Sequence, residues 1–319
     1  MWLSRIKFRL IVFILSFILI FSIYFNFNFT CLSFIPYGIS NQNYVTLGAN
    51  QSFCVKTKNI IIKFITNNKG ARIIANHNYI NIKIFGDSQA LGLEVNSYKD
   101  YFLNDQFKNN SYEIYAAPNN GPYEVINRIN ELSFNSDENI IINFNTSVDF
   151  YRLKEWYPQN FISLKEKHIN SVHKYPFLSD IFILYNLFFK KNFTTQRNNT
   201  VEMQNIFFQE ELENFNFNLK DYLNKLHLIL KKKNIRATLI FSTPYWLYSD
   251  DGNFFKILNT DVLEKYNDLN QIIYELTDNN QYHNIKFAKT IDPLVIQRDG
   301  FTNDNRHIKN FLLKNINYF

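Results

Sequence analysis

Apolar segments of strand-like composition alternate along this chain with segments of helical periodicity, and this alternation most constrains the fold. The strand-like segments are 79–85, 112–117, 139–145, 237–243 and 285–288. The helical patterns that connect them are 121–132, 204–233 and 260–277. Such alternation predicts an α/β fold with a five-stranded parallel sheet covered by helices on both faces. Ligands bind such sheets outside the carboxyl ends of the strands, so functional residues are expected directly after strands.

The first 30 residues have the pattern of a membrane anchor. Arg5, Lys7 and Arg9 precede the segment 10–25, which contains no charged residue. These sixteen residues would extend roughly 24 Å as a helix, and the stretch to Phe29 brings the length near the ~30 Å of a bilayer core. An uncleaved signal anchor is favoured over a cleaved signal peptide, because the segment ends in bulky residues rather than small ones. The positive flank then stays in the cytoplasm, and the chain after about residue 30 lies outside it.

Beyond this anchor, the pattern predicts a strand-rich extension over 31–78 and one large domain over 79–319. An aromatic insertion at about 150–203 interrupts that domain, as a lid or binding element would. Cys31 and Cys54 are the only cysteines, so a disulfide between them is allowed in an oxidising compartment. The net charge of +6 is spread along the chain, and its dense basic runs are short, so no nucleic-acid partner is expected.

The stretch YINIKIFGDSQALGLEV, residues 79–95, places Gly86, Asp87 and Ser88 where a strand is expected to meet a helix. Taken alone, Ser88 is explained as a helix cap. Near the other end of the chain, Asp304 and His307 are three residues apart, which puts both side chains on one side of a turn or helix. A carboxylate so placed can orient an imidazole base, although an N-cap beside a surface histidine has the same spacing. With Ser88 as nucleophile, these residue types complete a catalytic triad.

An acyl-transfer serine also needs donors for the developing oxyanion. Gly121 opens the helix after the second strand, where its backbone amide is expected to be open to an approaching substrate. Asn143 and Asn145 end the third strand and offer side-chain amides. The other histidines have no metal-ligand spacing such as HxxxH or HExxH, so a metal site is disfavoured. No cofactor is predicted.

Taken together, these residues resemble the SGNH or GDSL hydrolases from about residue 67 to the C-terminus. Gly86-Asp87-Ser88 resembles the first block, with Ser88 as nucleophile and its amide as one oxyanion donor, and Gly121 resembles the second. Asp304-x-x-His307 resembles the last block, and the lead-in NNKGARIIANHNYINIKIFGDSQALGLEV is similar to that of extracytoplasmic, membrane-anchored members. The resemblance implies a three-layer α/β/α sandwich of flavodoxin-like type.

One block departs from the family pattern. Family members place an Asn before an Asp after the third strand, as the third oxyanion donor. Here Val148 precedes Asp149, and valine has no side-chain donor. Asn145 is the favoured substitute, Asn143 is a further choice, and a hole with only two amide donors stays open.

The resemblance implies a serine esterase that hydrolyses O-acetyl or other short acyl esters, with a cell-surface polysaccharide as a possible substrate. Transfer of the acyl group to an extracytoplasmic polysaccharide is the alternative, in which Trp156 and Tyr157 could stack on sugar rings. A binding protein that keeps the fold without catalysis is the third hypothesis, motivated by Val148. The membrane is expected to be contacted only through the N-terminal helix.

Overall fold

The computed structural model describes the chain in separate ranges of residues. They are 9–17, 31–32, 37–39, 45–56, 61–74, 80–92, 111–117, 120–136, 138–146, 149, 153, 212–242, 247–250, 256–258, 260–277 and 280–288. The α-helices are α1, which includes 9–17, then α2 (Ser88–Leu91), α3 (Pro122–Glu131), α4 (Leu212–Lys233) and α5 (Thr260–Thr277). A 3₁₀ turn spans Asn280–Tyr282.

The strands of the first 74 residues are short. They are β1 (Cys31–Leu32), β2 (Tyr37–Ile39), β3 (Val45–Leu47), β4 (Ser52–Lys56), β5 (Ile61–Ile65) and β6 (Arg72–Ile74). The later strands are β7 (Ile80–Gly86), β8 (Ser111–Ala116), β9 (Asn139–Asn145), β10 (Arg236–Ser242), β11 (Tyr248–Asp250), β12 (Lys256–Leu258) and β13 (Ile285–Ala288).

The main sheet has the strand order β13-β10-β9-β7-β8-β6. Its first five strands in this order are parallel, which confirms the five predicted strands. The predicted count was one strand short, because β6 adds an antiparallel edge to β8. This strand has only three residues and lies inside the predicted extension, so local hydrophobic periodicity did not assign it to the sheet.

Three helices, α3, α4 and α5, cover one face of the sheet. Alternate strand residues on this face are buried, because side chains in a strand point to opposite faces in turn. The shared core comprises Phe85, Tyr115, Ile142, Phe144, Leu239, Phe241 and Ile285 of the strands, with Val125, Ile129, Leu219, Tyr222, Leu226, Leu230, Val262, Tyr266, Leu269 and Ile273 of the helices. The helical members recur every three or four residues, as a helix with one buried stripe requires.

The short helix α2 packs on the opposite face. Gly86 follows Phe85 in β7 and therefore faces away from the helix-covered core. A Cβ at Gly86 would lie 2.6 Å from the Cβ of Ala90 in α2 and 3.1 Å from the carbonyl oxygen of Asn143 in β9. Gly86 also has a φ of 155°, which side-chain-bearing residues rarely adopt. Helices thus lie on both faces of the sheet, and a glycine is needed where the chain passes from β7 into α2.

The residues preceding β7 pack onto the sheet edge through β5 and β6. Phe64 of β5 is fully buried, and Asn67 Nδ2 donates a hydrogen bond of 2.9 Å to Glu113 in β8. Farther out, β1 and β4 pair in parallel with Cys31 opposite Cys54. The disulfide between these cysteines stays a prediction, now with a matching backbone register.

Only part of the predicted N-terminal anchor falls in the described ranges. The apolar side chains of 9–17 are exposed, Phe13 by 68%. Within the described residues, no helix is both long and apolar enough to cross a membrane. Residues 1–8 and 18–30 of the predicted anchor lie outside those residues, as does the insertion at 150–203 apart from Leu153.

Candidate functional site

Three of the predicted site residues lie at or after the ends of three adjacent strands, at the same end of the sheet. Ser88 follows β7, Gly121 follows β8, and Asn145 is the last residue of β9. β7 lies between the other two strands and is parallel to both. Because the carboxyl ends of parallel strands meet at one edge, the sheet topology gathers these residues where α/β proteins bind ligands.

The capping role predicted as the alternative for Ser88 belongs to Asp87. Asp87 is the N-cap of α2, and its Oδ1 accepts a hydrogen bond of 2.8 Å from the backbone N–H of Gln89. Ser88 is the first helical residue and is partly exposed, whereas Asp87 is only 2% exposed. A buried carboxylate immediately before the serine therefore fixes the start of the helix that carries it.

The same carboxylate also holds Asn145. Asn145 Nδ2 donates a hydrogen bond of 2.6 Å to Asp87 Oδ2, across 58 residues of sequence. The backbone N–H of Asn145 donates at 2.8 Å to Oδ2 of Asp149, which is 3% exposed. Asn145 is thus fixed at both its side chain and its backbone, and its carboxamide lies beside the residue that precedes Ser88.

Asn143 has a different environment. It lies two residues earlier in β9, so it shares a face with Asn145. Asn143 is adjacent to Gly86, the last residue of β7, rather than to Asp87. Within the described part of the chain, its Nδ2 is buried and has no hydrogen-bond partner. Of the two asparagines, only Asn145 is bonded to the Asp87-Ser88 segment.

The expectation of an open backbone amide at Gly121 is wrong. This N–H donates a hydrogen bond of 3.0 Å to Oε2 of Glu124 in the first turn of α3. A glutamate at the third helical position commonly reaches back to the N-cap amide in this way. The four letters GPYE already contain that spacing, so the contact could have been found from the sequence.

On the helix-covered face of the sheet, Tyr222 of α4 is fully buried against Phe144 of β9. Burial raises the pKa of its phenol far above the ordinary range, and the negative charge of Asp149 raises it further. Tyr222 therefore stays neutral and supports β9 from the face opposite the site.

The structure does not place the remaining predicted site residues. Asp304, His307 and Val148 lie outside the described residues. Their assignments stay predictions. Among the residues that are described, no three His, Cys, Asp or Glu side chains form a cluster that could hold a metal ion.

A solved structure is distantly similar to this chain. No protein-family model matches the chain, and no curated protein matches it. A crystal structure of a member of the lipolytic protein G-D-S-L family from Veillonella parvula is similar at 12% sequence identity and a TM-score of 0.35. The match covers 74% of this chain and 94% of that protein. A likeness this weak leaves the function to be argued from the site itself.

Proposed function

We propose that this protein is a serine esterase of the SGNH or GDSL type, with Ser88 as its nucleophile. One observation carries the proposal. Ser88 begins a short helix at the carboxyl end of an interior parallel strand, and the preceding Asp87 is hydrogen-bonded to Asn145 of the neighbouring strand. This arrangement puts a hydroxyl, a helix N-terminal amide and a side-chain amide at one sheet end, which are the nucleophile and the oxyanion donors of an acyl transfer.

In the proposed reaction, His307 removes the Ser88 proton while Ser88 Oγ attacks the ester carbonyl carbon, and Asp304 orients His307. The tetrahedral intermediate then breaks its bond to the alcohol oxygen, which leaves with the proton from His307. Water attacks the resulting acyl-serine with His307 as base, releasing the carboxylic acid and restoring the serine.

Two donors are proposed for the oxyanion, the backbone amide of Ser88 and the carboxamide of Asn145. A carboxamide nitrogen carries two hydrogens, and the bond to Asp87 uses one of them. Asp87 thereby sets the direction in which the other points. The backbone amide of Gly121 can act as a third donor only when its hydrogen bond to Glu124 is broken. For that, the bound substrate has to displace the Glu124 carboxylate.

The proposed setting is extracytoplasmic, with the N-terminal segment as a single membrane anchor and a short acyl ester as substrate. Exposed apolar side chains on helix α1 are compatible with contact with lipid. A polysaccharide O-acetyl group is the substrate class that the sequence resemblance favours. Transfer of the acyl group to a glycan would use the same acyl-serine and differ only in the acceptor.

The test uses the full chain in detergent with p-nitrophenyl acetate and a fluorophosphonate probe. Wild-type protein should release p-nitrophenol and label at one serine, and Ser88→Ala should do neither. Ser242→Ala is the matched control, because Ser242 also ends a parallel strand but donates to the Phe144 carbonyl oxygen at 3.3 Å. Unlabelled wild-type protein, or a labelled Ser88→Ala variant, would favour the non-catalytic alternative or a different nucleophile.

A further inference from the structure

An arginine of the N-terminal extension is buried at the end of the helix that carries Ser88. Arg72 is 1% exposed, and its Nη1 donates hydrogen bonds of 2.8 Å each to the carbonyl oxygens of Leu91 and Gly92. Leu91 is the last residue of α2 and Gly92 is its C-cap. One nitrogen of the guanidinium thus satisfies two carbonyls that the helix itself leaves without amide partners.

The position of Arg72 is set by the extension and the sheet edge together. Its backbone belongs to β6, opposite Ile114 of β8, and also forms a bridge with Thr66. Its guanidinium lies over the ring of Phe64 in β5, with 4.1 Å from the carbon to the ring centroid. Burial of a cation is costly because the charge loses its hydration. Hydrogen bonds to helix carbonyls and contact with an aromatic face can compensate for that loss. Here both compensating groups are present.

Helix α2 is too short to hold its own position. It has four residues, and isolated helices under about 12 residues are marginal in water. Its start is fixed by the Asp87 cap and its end by Arg72, with Leu91 N–H bonded to the Asp87 carbonyl oxygen at 3.0 Å between them. Ser88 therefore lies between two side chains that fix the helix at opposite ends, and these side chains come from different parts of the chain.

We propose that Arg72 is a positioning residue that holds α2, and with it Ser88, in the orientation needed for nucleophilic attack. The catalytic part of this proposal rests on the proposed esterase function. The strand-rich extension is then a component of the site, because it supplies the side chain that fixes the end of the nucleophile helix. A displacement of a reacting group by 1 Å can reduce rate by about 100-fold, so a loosened helix is expected to act on kcat.

The experiment compares Arg72→Met, Arg72→Lys and the matched control Arg128→Met in the full chain. Arg128 also joins the domain to the extension, through a hydrogen bond from Nη2 to the Lys69 carbonyl oxygen, but it belongs to α3, which packs on the sheet face opposite α2. We expect Arg72→Met to lower kcat for p-nitrophenyl acetate by about 10- to 100-fold with KM nearly unchanged. Arg72→Lys should recover much of that loss, since one ammonium can also donate to two carbonyls. Arg128→Met should stay close to the wild type.

Hydrogen exchange of the backbone amides in 86–92 gives a second readout that needs no catalysis. Arg72→Met should raise exchange at the end of α2 by at least about 10-fold and leave β9 unchanged, with Arg72→Lys in between. Wild-type exchange in α2 of the folded Arg72→Met protein would overturn the proposal, as would equal kinetic losses in Arg128→Met. If Arg72→Met does not fold, Arg72→Lys and Phe64→Leu supply the same comparison. A wild-type protein without ester turnover would refute the proposed function, while the exchange rates would still decide whether Arg72 holds α2.

Discussion

Replacing Asn145 by alanine removes the side chain that joins β9 to the segment carrying Ser88. If Asn145 is an oxyanion donor, kcat for p-nitrophenyl acetate should fall by about 100- to 1000-fold, or about 3 to 4 kcal/mol of transition-state stabilisation. The substitution also removes the 2.6 Å hydrogen bond to the carboxylate of Asp87, a residue that is 2% exposed. A hydrogen bond to a charged group contributes about 1.5 to 3 kcal/mol. We therefore expect the free energy of unfolding to fall by about 2 kcal/mol as well.

The control is Asn143→Ala, which removes the same functional group from the same face of the same strand. Within the described residues, Asn143 Nδ2 is buried and has no hydrogen-bond partner, so its loss breaks no such bond. The free energy of unfolding should change by less than about 1 kcal/mol, and kcat should stay close to the wild-type value. Initial rates and urea unfolding of both variants measure these quantities. Near-wild-type kcat in Asn145→Ala, or a 100-fold loss in Asn143→Ala, would refute the assignment of the donor.

Three further predictions concern the supports of the site. Gly86→Ala puts a side chain on a backbone with a φ of 155° and places its Cβ 2.6 Å from the Cβ of Ala90. The free energy of unfolding, measured by urea titration, should therefore fall by about 3 kcal/mol. A fall of less than about 1 kcal/mol would contradict the clash. Burial raises the pKa of Tyr222, so its contribution to stability is present below the unfolded pKa of about 10 and is lost as pH rises above it. Tyr222→Phe should therefore lose less unfolding free energy between pH 8 and pH 11 than the wild type, and equal losses would argue against a buried neutral phenol. Glu124→Ala releases the Gly121 amide and should cost about 1 kcal/mol of stability without lowering kcat; a tenfold drop in initial rate would show that Glu124 takes part in the reaction.

Much of the fold could be predicted because the signals are local. The predicted helix over 260–277 and the predicted strand over 285–288 have the bounds that the structure shows. Burial of one helix stripe leaves a periodic pattern, and burial of both strand faces leaves a short continuous apolar run. Both can be read in a short window of sequence. The edge strand β6 was not assigned to the main sheet from the sequence, because its three residues are too few to show a hydrophobic pattern. Its pairing with β8 is also antiparallel.

The candidate site divides in the same way. The sequence by itself determined which residue types follow each strand, and a parallel sheet brings all strand ends to one edge, so Ser88 and Asn145 could be placed together in advance. Only the tertiary structure decided what these residues bond to. The Asp87–Asn145 hydrogen bond joins residues 58 apart, and the two bonds from Arg72 reach 19 and 20 residues along the chain. Such contacts depend on strand order and on which side chains share a buried face, and no local pattern of hydrophobicity encodes either.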